Sequence, residues 1–282
     1  MEKLQKALSK ARQERDGQAA SPATVKARPK VKSRSTPHDV PVMPTPPLWD
    51  ELAPFEPNPK HLTANRILTL NSEAASNPFD ILRTKAFLLM RQNGWTRMAV
   101  TSPNQSCGKS TTACNLAVGL SRQRENRTML FDMDLRRPNV ANLLGCKPTH
   151  GMQEMLTGEI SPQEQMLSLR GNVALSMAPR PVIDSTQLLL SQHTSDKLDE
   201  IQHDFAPDIM IFDLPPMLST DDARAFLKNV DCALIVARAE QTTMTQLDQC
   251  EREVAQQTNV LGVVLNNCRH GTQEDQGYEV YG

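Results

Sequence analysis

Residues 97–112 read Arg97-Met-Ala-Val-Thr-Ser-Pro-Asn-Gln-Ser-Cys-Gly-Lys-Ser-Thr-Thr112. Met98 to Thr101 is a short apolar run suited to a buried strand, and Cys107-Gly108-Lys109-Ser110-Thr111-Thr112 opens a helical run that continues to Arg124. A strand, a tight loop and a Gly-Lys-Ser helix start form a phosphate cradle. Backbone N–H groups over Ser106, Cys107, Gly108, Lys109, Ser110 and Thr111 converge on phosphate oxygens. Lys109 reaches the β and γ oxygens, and the Ser110 hydroxyl meets Mg²⁺. The usual pattern has glycine five residues before Gly108, where this chain has Pro103.

Outward from this stretch, apolar runs recur at 129–131, 173–177, 209–212, 232–237 and 260–265. Helical patterns alternate with them at 79–91, 110–124, 192–204, 221–228 and 243–257. Strands without polar alternation, separated by helices, predict an α/β fold: a mostly parallel sheet with helices on both faces. Ligands of such sheets bind at the carboxyl ends of strands, where the Gly-Lys-Ser loop falls.

Two of the other strands end in carboxylates. Thr128 to Asp134 reads Thr-Met-Leu-Phe-Asp-Met-Asp, and Asp208 to Pro216 reads Asp-Ile-Met-Ile-Phe-Asp-Leu-Pro-Pro. In an extended chain the spacing of Asp132 and Asp134 puts both on one face. Aspartates delivered to the edge that carries the phosphate loop suit Mg²⁺, which takes oxygen ligands and keeps several waters. A helix cap or turn residue is the competing reading for either aspartate alone.

The remaining sequence divides by composition. Residues 1–20 hold a short amphipathic helix, with Leu4, Ala7, Leu8 and Ala11 on one face and basic residues around the others. It reads either as a membrane-surface or partner-binding helix or as a solvated one. Ten of the twenty prolines fall between 22 and 59, so 21–60 reads as an extended, disordered linker completing an N-terminal arm. Residues 61–270 read as the folded domain and 271–282 as a flexible tail. The net charge of −1 gives no electrostatic case for nucleic acid. The six cysteines contain no C-x-x-C pair, which argues for reduced thiols in a cytosol. No apolar run approaches the roughly 18 residues of a membrane span, so a cytoplasmic protein is expected, any membrane role passing through a partner.

The set 101–112, the Asp132-Met-Asp-Leu-Arg-Arg-Pro138 segment and Asp213-Leu-Pro-Pro216 resembles the bacterial tyrosine kinases of capsule and exopolysaccharide synthesis, the CpsD/CapB type, within the MinD/ParA-like P-loop ATPases. The resemblance covers roughly residues 65–270 and implies a P-loop NTPase fold. It implies an ATP- and Mg²⁺-dependent autokinase in which Lys109 stabilises the transferring phosphoryl group and Ser110 ligates Mg²⁺. Asp132 or Asp134 accepts the tyrosine proton or holds the metal, and Asp213 binds Mg²⁺ directly or through water. Asn266 is an adenine contact or an ordinary loop cap. The two tyrosines of the chain, Tyr278 and Tyr281, both lie in the last five residues, as the family's tail acceptors do.

The family also implies a homo-oligomer, built through a helix whose Glu-Ala-Tyr-Arg-x-Leu-Arg-Thr pattern aligns here with Asn77 to Thr84. It implies a membrane adaptor or polysaccharide co-polymerase on a separate chain, which recruits the kinase to the inner face of the plasma membrane. The alternative is a MinD/ParA-like ATPase with a positioning role and no kinase activity. Asn104, where those ATPases carry a lysine, counts against it. A regulatory nucleotide-binding module without turnover is a third reading.

Overall fold

The computed structural model describes residues 47–268. The N-terminal helix, the first part of the linker and the tail with Tyr278 and Tyr281 lie outside the described residues.

Among the described residues eight strands form one sheet: β1 (Ala53–Pro54), β2 (Arg97–Thr101), β3 (Thr128–Asp132), β4 (Leu167–Leu169), β5 (Val173–Ser176), β6 (Ile209–Asp213), β7 (Cys232–Arg238) and β8 (Asn259–Asn266). Their order is β1-β4-β5-β3-β6-β2-β7-β8. All neighbours run parallel except β4 and β5. The five central strands are apolar through their middles because both of their faces are covered. On one face Ala99, Met129, Phe131, Met210, Phe212, Ala233 and Ile235 join one apolar cluster. On the other, Met98, Val100, Leu130, Ile211, Leu234 and Val236 join a second. The alternation of successive residues between the two clusters is the period-2 pleat.

Helices α2 (Asn77–Asn93), α3 (Lys109–Leu120) and α4 (Val140–Leu144) supply the second cluster. The first is covered by α5 (Met152–Leu156), α7 (Ser185–Leu190), α8 (Gln192–Phe205), α9 (Asp222–Leu227) and α10 (Met244–Ala255). Short α1 (Pro59–Ala64) packs on α4, and α6 (Pro162–Gln165) leads into β4. No helix among the described residues is long and apolar enough to cross a membrane.

The proline-rich segment departs from the expected linker from residue 47 onward. A 3-10 turn over Pro47–Trp49 places Trp49, 2 % exposed, edge-on to Phe205 at 5.9 Å between ring centroids. Its indole N–H donates to the Phe205 carbonyl at 2.7 Å. Leu52 is buried as well, and β1 pairs with β4. Edge strands tolerate proline because only one side of the strand is paired, so Pro54 fits where a central strand would reject it. Pro59 sits in the first turn of α1, where its missing N–H costs nothing.

The 77–84 stretch begins α2, with a proline in its first turn as expected. Asp80 and Arg83 turn inward. The Asp80 carboxylate accepts from Ser76 Oγ and from Arg83, each at 2.7 Å, and from Arg122, and Arg83 donates to the Gly119 carbonyl at 3.1 Å. These side chains clamp α2 to the end of α3. On the outer side of α2, Ile81 and Leu88 are more than half exposed.

Candidate functional site

The phosphate loop leaves β2 and returns as α3, and its geometry is set by left-handed backbone. Ser106 has φ +61° and Gly108 φ +93°. Gly108 caps α3, its carbonyl accepting from the Thr112 N–H and hydroxyl, both at 2.9 Å. Glycine is required here on two counts. The φ is one that side-chain-bearing residues adopt at a cost, and a Cβ would press into the Asn266 amide. That amide donates to the Cys107 carbonyl at 2.9 Å, and its oxygen accepts from the Asn267 N–H at 2.9 Å. Arg238 adds a donor to the Ser106 carbonyl at 3.0 Å. The ends of the last two strands therefore brace the loop from the side.

Lys109 is nearly buried at the first turn of α3. Its ammonium lies 2.7 Å from Asp134 Oδ2, 3.5 Å from Asp213 Oδ1 and 3.2 Å from Ser110 Oγ. Asp132 and Asp213 face one another across the β3–β6 ladder, both fully buried. Each strand delivers its aspartate to the α3 face of the sheet at its carboxyl end. Burial disfavours the Lys109 ammonium, but Asp213, Asp134 and Asp132 together outweigh it and lift the pKa above the ordinary lysine value. Burial, and next the Asp213 charge, push Asp132 well above the usual carboxylate range, against the pull of the Val140 N–H and Lys109. Burial raises Asp213 too, opposed by Lys109 and Ser110. Three carboxylates converge on one ammonium, an excess of negative charge that a cation would relieve.

The two oxygens of Asp132 are in different states. Its Oδ2 accepts from the Asn139 and Val140 N–H groups at 3.0 Å each, capping α4. Its Oδ1 is buried without a hydrogen-bond partner among the described residues, and Asp213 Oδ2 is in the same state. Unpaired buried carboxylate oxygens are costly. Asp213 lies beside the Ser110 hydroxyl, and the facing pair of aspartates fits a small hard cation with oxygen ligands. Asp134, beyond the end of β3, lines the open cleft beside Lys109.

The cleft has a volume of about 1300 Å³. Ser106, Cys107, Gly108, Lys109, Ser110, Thr111, Asp134 and Asn266 are among its lining residues. Asp132 and Asp213 lie beneath that floor. Tyr278 and Tyr281 are outside the described residues. Sequence reasoning passed over the cations of the wall: Arg66, Arg136, Arg137, Arg180 and Arg238. Arg136 and Arg137 stood in the motif after Asp134 and were open to that reading. Arg66 and Arg180 carry no local signal, because only the folded chain brings residue 66 and the Pro179-Arg180-Pro181 segment to the same cleft. Arg136 donates to buried Asp222 at 2.8 and 3.1 Å, and Ser185 Oγ donates to the same carboxylate at 2.5 Å. Asn115 was missed as well. Its side chain accepts from the Leu68 N–H at 2.8 Å and donates to the Arg66 carbonyl at 2.9 Å, tying the 66–69 segment to α3.

Comparison with known proteins agrees with this fold. The ParA family model, described as NUBPL iron-transfer P-loop NTPase, matches residues 95–281. A relative named tyrosine-protein kinase wzc, from Salmonella typhi, is 28 % identical over 222 residues, covering 74 % of this chain and 30 % of its own. The tyrosine-protein kinase YwqD of Bacillus subtilis is 26 % identical over 213 residues, covering 74 % of this chain and 86 % of its own. The chain spans about 30 % of the length of the first curated relatives it matches. Among solved structures, the kinase domain of Escherichia coli tyrosine kinase ETK aligns with a TM-score of 0.62 at 23 % identity, covering 75 % of this chain and 81 % of that one. At that identity the likeness speaks for the fold.

Proposed function

The chain belongs to the ParA family of P-loop NTPases, and from that premise we propose that it is an ATP-dependent protein-tyrosine autokinase whose acceptors are Tyr278 and Tyr281. One observation carries the reading. Lys109 sits between Asp134 and Asp213 at a loop shaped for phosphates, with two buried carboxylate oxygens left unpaired beneath it. The curated relatives named tyrosine-protein kinases favour phosphoryl transfer over simple hydrolysis.

Ser110, Asp132 and Asp213 would hold Mg²⁺, which when bound neutralises charge on the β and γ phosphate oxygens. The loop N–H groups cradle the triphosphate, and Lys109 moves its charge from Asp134 onto the transferring phosphoryl group. A tyrosine Oη attacks the γ phosphorus, the bond to the β,γ-bridging oxygen breaks, and ADP leaves. The phenolic proton passes to a carboxylate. Asp134 suits that role better than Asp132, because it lines the cleft while Asp132 is buried and occupied as a helix cap. Phosphoryl transfer asks mainly for positioning and charge stabilisation.

By the same reading the kinase regulates exopolysaccharide or capsule polymerisation and export. It works at the inner face of the plasma membrane with a membrane adaptor on a separate chain, and as a homo-oligomer. One relative is named a putative tyrosine-protein kinase in the cps region of Klebsiella pneumoniae. The exposed Ile81 and Leu88 of α2 are the contacts available to a neighbouring subunit, since Asp80 and Arg83 are engaged internally. The family match itself favours a second reading, a ParA-like ATPase with an assembly or positioning role and no kinase activity.

Incubation of the full chain with Mg-ATP, followed by mass spectrometry of the tail, decides between them. The kinase reading expects phosphate on Tyr278 and Tyr281. Hydrolysis of ATP with an unmodified tail under all conditions, adaptor fragment included, points to the ParA-like ATPase instead. Lys109→Met should lower the transfer rate by about 10²–10³-fold or more. Undiminished transfer in that variant would show that the cradle is misassigned.

A further inference from the structure

The cleft wall carries arginines beyond those that carboxylates hold. Lys109 is neutralised by Asp134 and Asp213, and Arg136 by Asp222. Among the described residues no carboxylate pairs with Arg66 or Arg137. Arg180, 81 % exposed, makes one long ion pair, to Glu154 at 3.7 Å, of the exposed kind that is worth little. Arg137 is also placed. Its backbone N–H donates to the Asp134 carbonyl at 2.9 Å, and its guanidinium donates to Gln105 of the phosphate loop. A fixed cation thus stands beside both the proposed proton acceptor and the phosphate loop. Arg180, between two prolines, stands on the same cleft wall.

The chain leaves the described fold at this cleft. Asn266 and Asn267 line it and Cys268 is the last described residue. The C-terminal segment beyond it is acidic in sequence. Glu274, Asp275 and Glu279 flank Tyr278 and Tyr281, and no lysine or arginine occurs after Arg269. Tyr278 lies ten residues beyond Cys268, a reach of about 35 Å when extended, enough to span the mouth of a cleft from its own edge.

We propose that the cleft recognises its acceptor by charge. Arg137 and Arg180, assisted by Arg66, bind the carboxylates of the chain's own segment 272–282 and bring a tyrosine hydroxyl to Asp134. The substrate class is acidic, tyrosine-bearing peptide. The proposal rests on the kinase reading for transfer, but binding is measurable without it. Arg137 and Arg180 are positioning residues here, because they hold the peptide and not the reacting atoms.

The test uses the full chain carrying Tyr278→Phe and Tyr281→Phe, so that all transfer is to an added synthetic peptide of residues 272–282. The Arg137→Glu/Arg180→Glu double variant should raise the KM for this peptide about ten-fold. Each exposed ion pair is worth a few-fold and reversal turns attraction into repulsion. The KM for ATP should move far less. A peptide with lysine at 274, 275 and 279 should reverse the order of the two proteins. An equal rise in the KM for ATP would assign the arginines to the nucleotide and overturn the proposal, as would an unchanged peptide KM. In parallel, fluorescence anisotropy tracks a labelled peptide with both tyrosines replaced by phenylalanine, at low and at raised salt. Binding that weakens with salt and is lost in the double variant supports charge recognition whether or not transfer occurs. No binding to the parent protein at low salt refutes it. Transfer to no peptide, with binding intact, refutes the kinase reading and leaves the docking site standing.

Discussion

Gly108→Ala tests how the last strand and the phosphate loop depend on each other. The new Cβ would press on the Asn266 amide nitrogen and lie 3.4 Å from its Cγ. Asn266 is a side-chain end and can swing away, but doing so breaks its bonds to the Cys107 carbonyl and from the Asn267 N–H, both 2.9 Å. Two such bonds are worth about 1–3 kcal/mol together. The left-handed φ of +93° costs a non-glycine residue roughly 1–2 kcal/mol more. Gly108→Ala should therefore destabilise by about 2–5 kcal/mol. Asn266→Ala removes the same two bonds and should cost about 1–3 kcal/mol. In the double variant the bonds are lost once, not twice, and only the φ strain is added. The two single costs should thus exceed the double cost by about 1–3 kcal/mol. Urea unfolding of the four proteins measures this, with ATP affinity by calorimetry beside it. Costs that add within about 0.5 kcal/mol would refute the bracing of the loop by Asn266. ATP binding should fall in Gly108→Ala and recover only in part in the double variant.

Three further outcomes are expected. Trp49→Ala removes a buried ring and its bond to the Phe205 carbonyl, and should cost about 3–5 kcal/mol in urea unfolding; a loss below about 1 kcal/mol would show that the 47–54 segment is not anchored as described. Asn115→Leu strands the Leu68 N–H and the Arg66 carbonyl, and should destabilise by about 2–4 kcal/mol, with faster hydrogen exchange confined first to residues 66–69. Burial alone would raise the Asp222 pKa, but Arg136, Ser185 and Thr186 outweigh it and hold the carboxyl below its ordinary value. Its ionised form therefore contributes stability that is full above the unfolded value of roughly pH 4 and is lost as pH falls through the lower folded value. Asp222→Asn should flatten the acid limb of a stability-against-pH curve, and an unchanged slope below about pH 4 would contradict the assignment.

How far the sequence led depended on whether a residue's partner was near in the chain or far from it. The five central strands, the four long helices and the six-residue α9 declared themselves, because burial on both faces and helical periodicity are local patterns. Lys109, Asp132, Asp134 and Asp213 were legible for the same reason: each closes or succeeds a strand that could be recognised alone, and a parallel sheet must bring such ends to one edge. The antiparallel β4 and the two-residue β1 were not legible, since a three-residue strand has no period to detect. Trp49 and Leu52 hid among prolines whose usual meaning is linker, and what overrode that meaning is a ring seated on α8, more than 150 positions away. The dual part played by Asp132 shows the same limit within the site. One oxygen caps α4, a partner only eight residues on, and that reading was open from the sequence. The other oxygen is left bare beside Asp213, and only the β3–β6 register creates that pairing. The arginines of the cleft wall carry this furthest. Arg66, Arg137 and Arg180 come from three separate connections, so their combined charge exists only once the sheet has assembled, and it is this charge that the acidic tail could meet.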